Sequence, residues 1–416
     1  MPGAVHVIGG GLAGLAAAVR LVGTTDRIAV YEATAMPGGR CRSYHDHATG
    51  LVIDNGNHLL LTGNHAAFAY ARAIGSEDRL AGPEDAEFCF FDLATNKGWT
   101  LRLNNGPVPW WIFDPARRVP GTRPADYLRL ARLLAAPDKP IGDVIDCSGP
   151  LYEQLLVPLV TSALNTEPRE ASAALAGAII RETLARGGKA CRPRIAREGL
   201  GTVFVEPACA YLQQAGATIH LGRELRALRF VDQRVGELDF GTETVPLAPG
   251  DAVVLAVPPF AAPALVPGLT APSAFRAILN VHFRVEQQPK KLPPLVGVLN
   301  GTTEWVFAFP GRISTTTSNA DRFMNEPREA LADTIWREVC AVTGLAGERP
   351  RWQIVRERRA TFAATPEQNA RRPGTATAWR NLFLAGDWTA TGLPATIEGA
   401  IRSGFHAAER VLRLAD

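Results

Sequence analysis

Three short apolar runs, each ending at glycine or proline, organise the chain. Val5 to Ile8 runs into Gly9, Asp251 to Val257 into Pro258-Pro259, and Asn381 to Ala385 into Gly386-Asp387. Four to seven residues of this kind, bounded by turn formers, fit strands buried in a sheet. Helical spacing follows the first run from Leu15 to Leu21, and a second helix opens after the third run, at Ala395-Thr396-Ile397. Between them, Val203 to Gln214 has helical spacing, Arg27 to Tyr31 and Thr218 to Leu221 read as strands, and Leu225 to Phe230 with Val235 to Phe240 reads as a hairpin.

The rest of the chain changes period. Asp126 to Leu134 and Ala173 to Leu184 carry helical patterns. Ile278 to Val285, Leu295 to Leu299, Glu304 to Phe309 and Arg312 to Thr317 read as strands broken by Pro, Gly and Asn. Glu329 to Thr343 reads as a further helix and Trp352 to Arg358 as a further strand. We expect an α/β nucleotide-binding domain of Rossmann type from residues 1–80, 197–262 and 376–416. An α+β substrate domain, a sheet with helices over one face, is then inserted as residues 81–196 and 263–375. At 416 residues, two domains are the natural division.

The glycines give the first domain a ligand. In Gly9-x-Gly11-x-x-Gly14, the first glycine makes the turn and the second lets a pyrophosphate approach the backbone. Gly14 lets the helix pack on the sheet, and the N–H groups of Leu12 and Ala13 sit at the positive helix end. Glu32 ends the next strand, at roughly the 20-residue interval expected of a ribose-binding carboxylate, and an acid there disfavours a 2′-phosphate. Gly38-Gly39-Arg40 adds a second glycine turn with a cation, and Gly386-Asp387 a third. This combination points to FAD rather than NAD. No second dinucleotide fingerprint is present, so the flavin exchanges electrons with oxygen, a quinone, a redox protein or the substrate itself.

Composition narrows the remaining classes. With 46% hydrophobic and 20% charged residues the protein is an ordinary globular one, and a formal net charge of +3 gives no case for nucleic acid. Cys41, Cys89, Cys147, Cys191, Cys209 and Cys340 lie far apart without C-x-x-C spacing, so we expect no metal site, no disulfide framework and a reducing, cytoplasmic compartment. The first strand begins at Val5, which leaves no room for a signal peptide, and no apolar run is long enough to span a membrane. Contact with a membrane would be peripheral, at its inner face.

Taken together, Gly9, Gly11, Gly14, Glu32, Gly38-Gly39-Arg40 and Asp387 resemble the FAD signature of the amine oxidase and phytoene desaturase superfamily. Within it, Leu51 to Leu61, Pro158 to Thr166 with Ala171 to Ala173, and Glu357 to Pro366 resemble the squalene-associated hydroxysqualene dehydroxylase family. The resemblance runs through nearly the whole chain. It departs after Leu103, where Trp110-Trp111-Ile112-Phe113 and a proline-rich continuation stand at the expected pocket entrance. The resemblance implies replacement of the hydroxyl of a C30 isoprenoid alcohol by hydrogen, giving squalene for hopanoid synthesis, with an electron donor that the sequence does not identify. Alternatives are a carotenoid-type desaturase or amine oxidase, and a flavin-bearing isoprenoid carrier without turnover.

Site residues follow from position. Asn55, Gly56, Asn57 and His58 come one strand after the Gly-Gly-Arg turn and are expected beside the flavin, as is Leu225 at the start of the hairpin. His58, ordinarily near neutral in pKa, is the candidate proton donor, with a structural hydrogen bond as the alternative. Asp54 is expected to fix its loop by accepting N–H bonds. Asn165 and Ser172 are candidates for the substrate pocket or for helix caps, and Trp388 for the flavin wall or the core. Ala395, Thr396 and Ile397 are expected to aim a helix N-terminus at the flavin pyrimidine ring. The Trp110 to Phe113 segment and the helix from Tyr127 to Leu134 are candidates for membrane docking or for packing.

Overall fold

Strands far apart in the chain form one parallel sheet in the computed structural model, which describes residues 3–25, 27–286 and 292–414. Their order is Thr218–Leu221, Arg27–Glu32, Ala4–Ile8, Ala252–Leu255 and Leu382–Leu384. Every residue of the last three is buried, the reason their sequences do not alternate. The helices Leu12–Leu21, Glu206–Gln214 and Ile397–Leu412 cover one face through Leu15, Leu212 and Ile401. The antiparallel strands Ala227–Val231, Arg234–Asp239 and Thr244–Pro246 bring Leu228, Val235, Leu238 and Phe240 to the other. Ala4–Ile8 has neighbours that depart in opposite directions along the sheet, so the crevice at its carboxyl end is a switch point where ligands bind.

A second sheet has seven strands in the order Trp352–Phe362, Phe275–Arg284, Arg312–Thr317, Trp305–Phe309, Leu295–Leu299, Glu87–Asp92 and Lys97–Arg102. The last two strands carry no clear alternation and have no counterpart in the sequence reading. Helix Arg328–Thr343 covers one face, packing Ile335, Trp336 and Val339 against Leu279, Val281 and Phe283. The opposite face is divided. Asn280, His282, Ser314, Thr316 and Arg312 form a polar half, whereas Trp305, Phe307, Phe309, Leu295 and Phe90 continue the same cross-strand rows as an apolar, largely aromatic half. Leu130, Leu133, Tyr152, Leu156, Val160 and Leu175, from the helical segment between 124 and 191, belong to the same cluster as that aromatic half.

Two local expectations shift. The helix expected over Asp126 to Leu134 is a 3-10 turn, Pro124–Tyr127, followed by Leu128–Leu134, because Pro124 and the Asp126 carboxylate fix the start two residues early. The hairpin begins at Ala227, which leaves Leu225 in the link from Leu221.

Candidate flavin site

The first glycine loop is built to receive a group that is not protein. A Cβ placed on Gly11 would meet nothing within 4 Å, although Gly11 caps the buried helix Leu12–Leu21. Gly11 forms an isolated parallel bridge with Gly38, and among the described residues no side chain caps this helix. The space is therefore an anion cradle at a positive helix end. Gly14 does the packing expected of it, since a Cβ there would lie 2.0 Å from the Gly9 carbonyl.

Around this cradle, three further segments close. Glu32 is buried and accepts N–H bonds from Gly10 at 2.8 Å and Thr34 at 2.9 Å. These bonds orient the carboxylate and leave lone pairs for ribose hydroxyls. Gly38 and Gly39 both take positive φ, 104° and 55°, and the Gly38 N–H bonds the Gly10 carbonyl, which lays the second glycine turn against the first. The N–H of Leu225 has no partner among the described residues. Its link lies beside Glu32, because Arg223 N–H bonds the Glu32 carbonyl.

Arg40 joins the two ends of the chain. Its Nη2 donates to Asp387 Oδ1 at 2.8 Å and its Nη1 to the Ala360 carbonyl at 2.5 Å. With both bonds made, 43% of the Arg40 side-chain surface is still accessible. Asp387 and Trp388 are buried, and their N–H groups are unpartnered among the described residues. For Trp388 the reason lies in Arg372, a residue the sequence reading did not single out. Its guanidinium bonds the carbonyls of Asp387 at 3.1 Å, Trp388 at 3.4 Å and Thr389, and Asn369 Oδ1 at 3.0 Å, with its Cζ 4.9 Å from the centre of the Phe362 ring. A trans peptide points its N–H opposite to its carbonyl, so the clamp turns the Trp388 N–H the other way. Burial brings the Arg372 pKa down to about 10, which still leaves a cation at pH 7. No periodicity marks this residue; only the fold brings it beneath the turn.

The helix Ile397–Leu412 starts at Thr396, whose Oγ1 accepts from Gly399 N–H. Glu398 in its first turn accepts from Ala66 and Ala67 N–H and thus caps the helix His65–Ala73. Asn55, Gly56 and Asn57 are stitched to the polar half of the large sheet. Asn57 Nδ2 donates to Asn280 Oδ1, the Thr315 carbonyl and Thr316 Oγ1, and Asn55 Nδ2 to Glu357. Asp54 accepts from Leu200 N–H at 2.8 Å and from Ser43 Oγ, and Arg312 lies 3.6 Å from its other oxygen.

This loop delivers His58, which makes no hydrogen bond among the described residues. Burial, with the positive charge of Arg40, pushes its imidazole down to about 4. At pH 7 the ring is therefore neutral. Leu59, which follows it, packs against the buried core that includes Phe90, Trp305 and Phe307.

Asn165 takes a left-handed conformation as the C-cap of Val157–Leu164 and bonds Asn319 N–H, the Arg276 carbonyl and Thr361 Oγ1. Ser172 caps Ala173–Glu182 by accepting from Leu175 N–H and donates to Asp138. Their polar atoms serve the capping alternative. Trp388 is fully buried and donates to the Val257 carbonyl at 3.0 Å, as part of the core.

Residues 12–412 match the model of the flavin-containing amine oxidoreductases, and the chain belongs to that family. The chain is 59% identical over 410 residues to a hydroxysqualene dehydroxylase of Rhodopseudomonas palustris, covering 98% of each chain. It is 54% identical over 413 residues to another of Sinorhizobium fredii, covering 99% of each. Among solved structures it matches cyclohexylamine oxidase from Brevibacterium oxydans with a TM-score of 0.70 at 16% identity, over 99% of both chains. The resemblance read from the motifs, and the flavoprotein fold, are borne out. The cofactor is FAD, and the open space at Gly11, the free N–H groups and the accessible Arg40 side chain fit it.

Proposed function

We propose that the protein replaces the hydroxyl of hydroxysqualene by hydrogen, yielding squalene and water in hopanoid biosynthesis. The observation that carries this is full-length similarity to hydroxysqualene dehydroxylases in a chain that belongs to the flavin-containing amine oxidoreductases. Bound FAD in its reduced form supplies the hydride. Gly11, Leu12, Glu32, Gly38, Gly39, Arg40, Asp387 and the helix start at Ala395, Thr396 and Ile397 hold it, with Asn55, Gly56, Asn57 and Leu225 shaping the space around it. Phe90, Trp305 and Phe307 exclude water from the isoprenoid chain. His58 is proposed to act at the leaving hydroxyl oxygen, whose departure as water consumes one proton while the substrate carbon receives the hydride.

Each turnover removes two electrons from the cofactor, so we propose a separate donor that restores them. An isoprenoid of this length partitions into bilayers, and we propose that the enzyme works peripherally at a membrane; no described helix is long and apolar enough to cross one. The test is anaerobic mixing of the reduced holoprotein with hydroxysqualene, with products read by mass spectrometry. One squalene per flavin reoxidised is expected. A flavin that stays reduced, with substrate recovered intact, would overturn the reading.

A further inference from the structure

Of the exposed large hydrophobic side chains, four fall in one short segment: Val108, Trp110, Phe113 and Leu128, between 51% and 71% exposed. They ride on the two 3-10 turns Trp110–Phe113 and Pro124–Tyr127 and the residues flanking them. The turns are held together from inside. Trp111 meets Tyr127 edge to face at 5.1 Å, and the Tyr127 hydroxyl accepts from Val119 N–H. Asn104 bonds the carbonyls of Gly106 and Val108 and the N–H of Trp111, fixing the loop that lifts Val108 and Trp110 outward. The exposure of these side chains is thus imposed by a well-bonded scaffold.

The charges of the segment have one sign in excess. Residues 105 to 135 carry five arginines, Arg117, Arg118, Arg123, Arg129 and Arg132, against Asp114 and Asp126, with Arg129 paired to Asp146 outside the segment at 3.2 Å. Both aspartates are engaged locally, Asp114 with Ala116 N–H and Asp126 with Arg123 N–H. Arg117 lies over the Trp110 ring at 4.7 Å, a cation beside an exposed aromatic. An apolar tip collared by arginines complements an anionic bilayer, whose headgroups attract the cations and whose acyl region takes up the side chains. An acidic protein would not need four apolar side chains so exposed.

The inward side of the same segment continues into the interior. Trp111, Tyr127, Leu130 and Leu133 belong to the cluster that includes Phe90, Trp305 and Phe307. We propose that the segment from Pro107 to Leu134 docks the protein on anionic bilayers and is the portal through which a lipid enters the apolar layer. This inference rests on the substrate reading above for the lipid's identity; the docking itself does not.

The experiment separates the two. Holoprotein is sedimented with vesicles of phosphatidylcholine plus phosphatidylglycerol, and with vesicles of phosphatidylcholine alone. Binding to the first, weakened by salt, is expected, and Phe113→Ser with Leu128→Ser should reduce it by about tenfold or more at unchanged flavin content. Arg123→Glu with Arg132→Glu should abolish the preference for the anionic vesicles. With vesicle-embedded substrate the apolar double variant should turn over more slowly, and with detergent-dispersed substrate at the parental rate. Equal sedimentation of parent and variants, or none by the parent, overturns the docking. So does a parent that dimerises through this face and leaves the vesicles. Vesicle binding without any turnover of hydroxysqualene leaves the docking standing and counts against the substrate reading alone.

Discussion

The Arg40 guanidinium lies 2.8 Å from the Asp387 carboxylate and ties the second glycine turn to the C-terminal one, 347 positions later in the chain. Neither side chain is satisfied by its own neighbourhood. Among the described residues Arg40 bonds residues far along the chain, Ala360 and Asp387. Arg40→Lys keeps a charge but loses the fork that reaches both acceptors. FAD affinity should fall about tenfold or more for Arg40→Lys and for Asp387→Ala. The double variant should lose less than the sum, as expected of a directly coupled pair. Titration of apoprotein with FAD, followed by flavin fluorescence, measures all three.

Gly11 and Gly14 share a motif and should fail differently. Gly11 has extended dihedrals, φ −74° and ψ 176°, and open space where a Cβ would stand. Gly11→Ala should therefore leave the apoprotein within about 1 kcal/mol of the parent while weakening FAD binding, and Gly11→Trp should abolish it. Gly14→Ala drives a methyl into the Gly9 carbonyl and should destabilise the apoprotein by about 3 kcal/mol or more. Urea unfolding of the apoproteins, beside flavin content of the holoproteins, distinguishes the two. An unstable Gly11→Ala apoprotein would count against an open cradle.

What could be read from the chain was whatever is local. Buried strands such as Val253 to Leu255 and turns such as Gly38-Gly39 carry their signal in a few adjacent residues, and these were legible together with the cofactor. The strands Glu87–Asp92 and Lys97–Arg102 were not, because they close one end of the large sheet with neither face fully buried and so do not alternate. Arg372 was invisible for another reason. It lies after the short helix Pro366–Ala370 as one arginine among many, and its role comes from carbonyls it reaches only after folding. The acidity of His58 was not legible, because it depends on burial and on Arg40.

Arg372 should hold the turn rather than bind FAD itself. Arg372→Met removes the donors from three buried carbonyls and should destabilise the apoprotein by about 3 kcal/mol or more. Arg372→Lys restores the charge but cannot reach all the acceptors, so only partial recovery is expected. Holoprotein that survives should show an altered visible circular dichroism of the flavin, since the Trp388 N–H would no longer be held in place. Parental stability and an unchanged flavin spectrum in Arg372→Met would leave the clamp without a role.

His58 makes the sharpest demand on pH. Its folded pKa is lowered to about 4 from an ordinary value near 6.5, so at pH 7 only a small fraction of molecules carry the imidazolium. If that cation delivers the proton to the leaving hydroxyl, the rate follows the protonated fraction and should climb about tenfold per unit from pH 7 to pH 5. His58→Ala should lose this slope and run about 100-fold or more slower at pH 5, with FAD still bound. The sign of the linkage limits the range. Unfolded histidine takes up protons near 6.5, whereas folded His58 and His282 do so only near 4 and 3, so the unfolded state binds more protons below 6.5 and stability is lost as the pH is lowered. Single-turnover flavin reoxidation under nitrogen between pH 5 and 7, with stability checked at each point, reads the slope. A parental rate flat across that range would exclude the imidazolium as donor and leave His58, through its neutral N–H, to orient the hydroxyl.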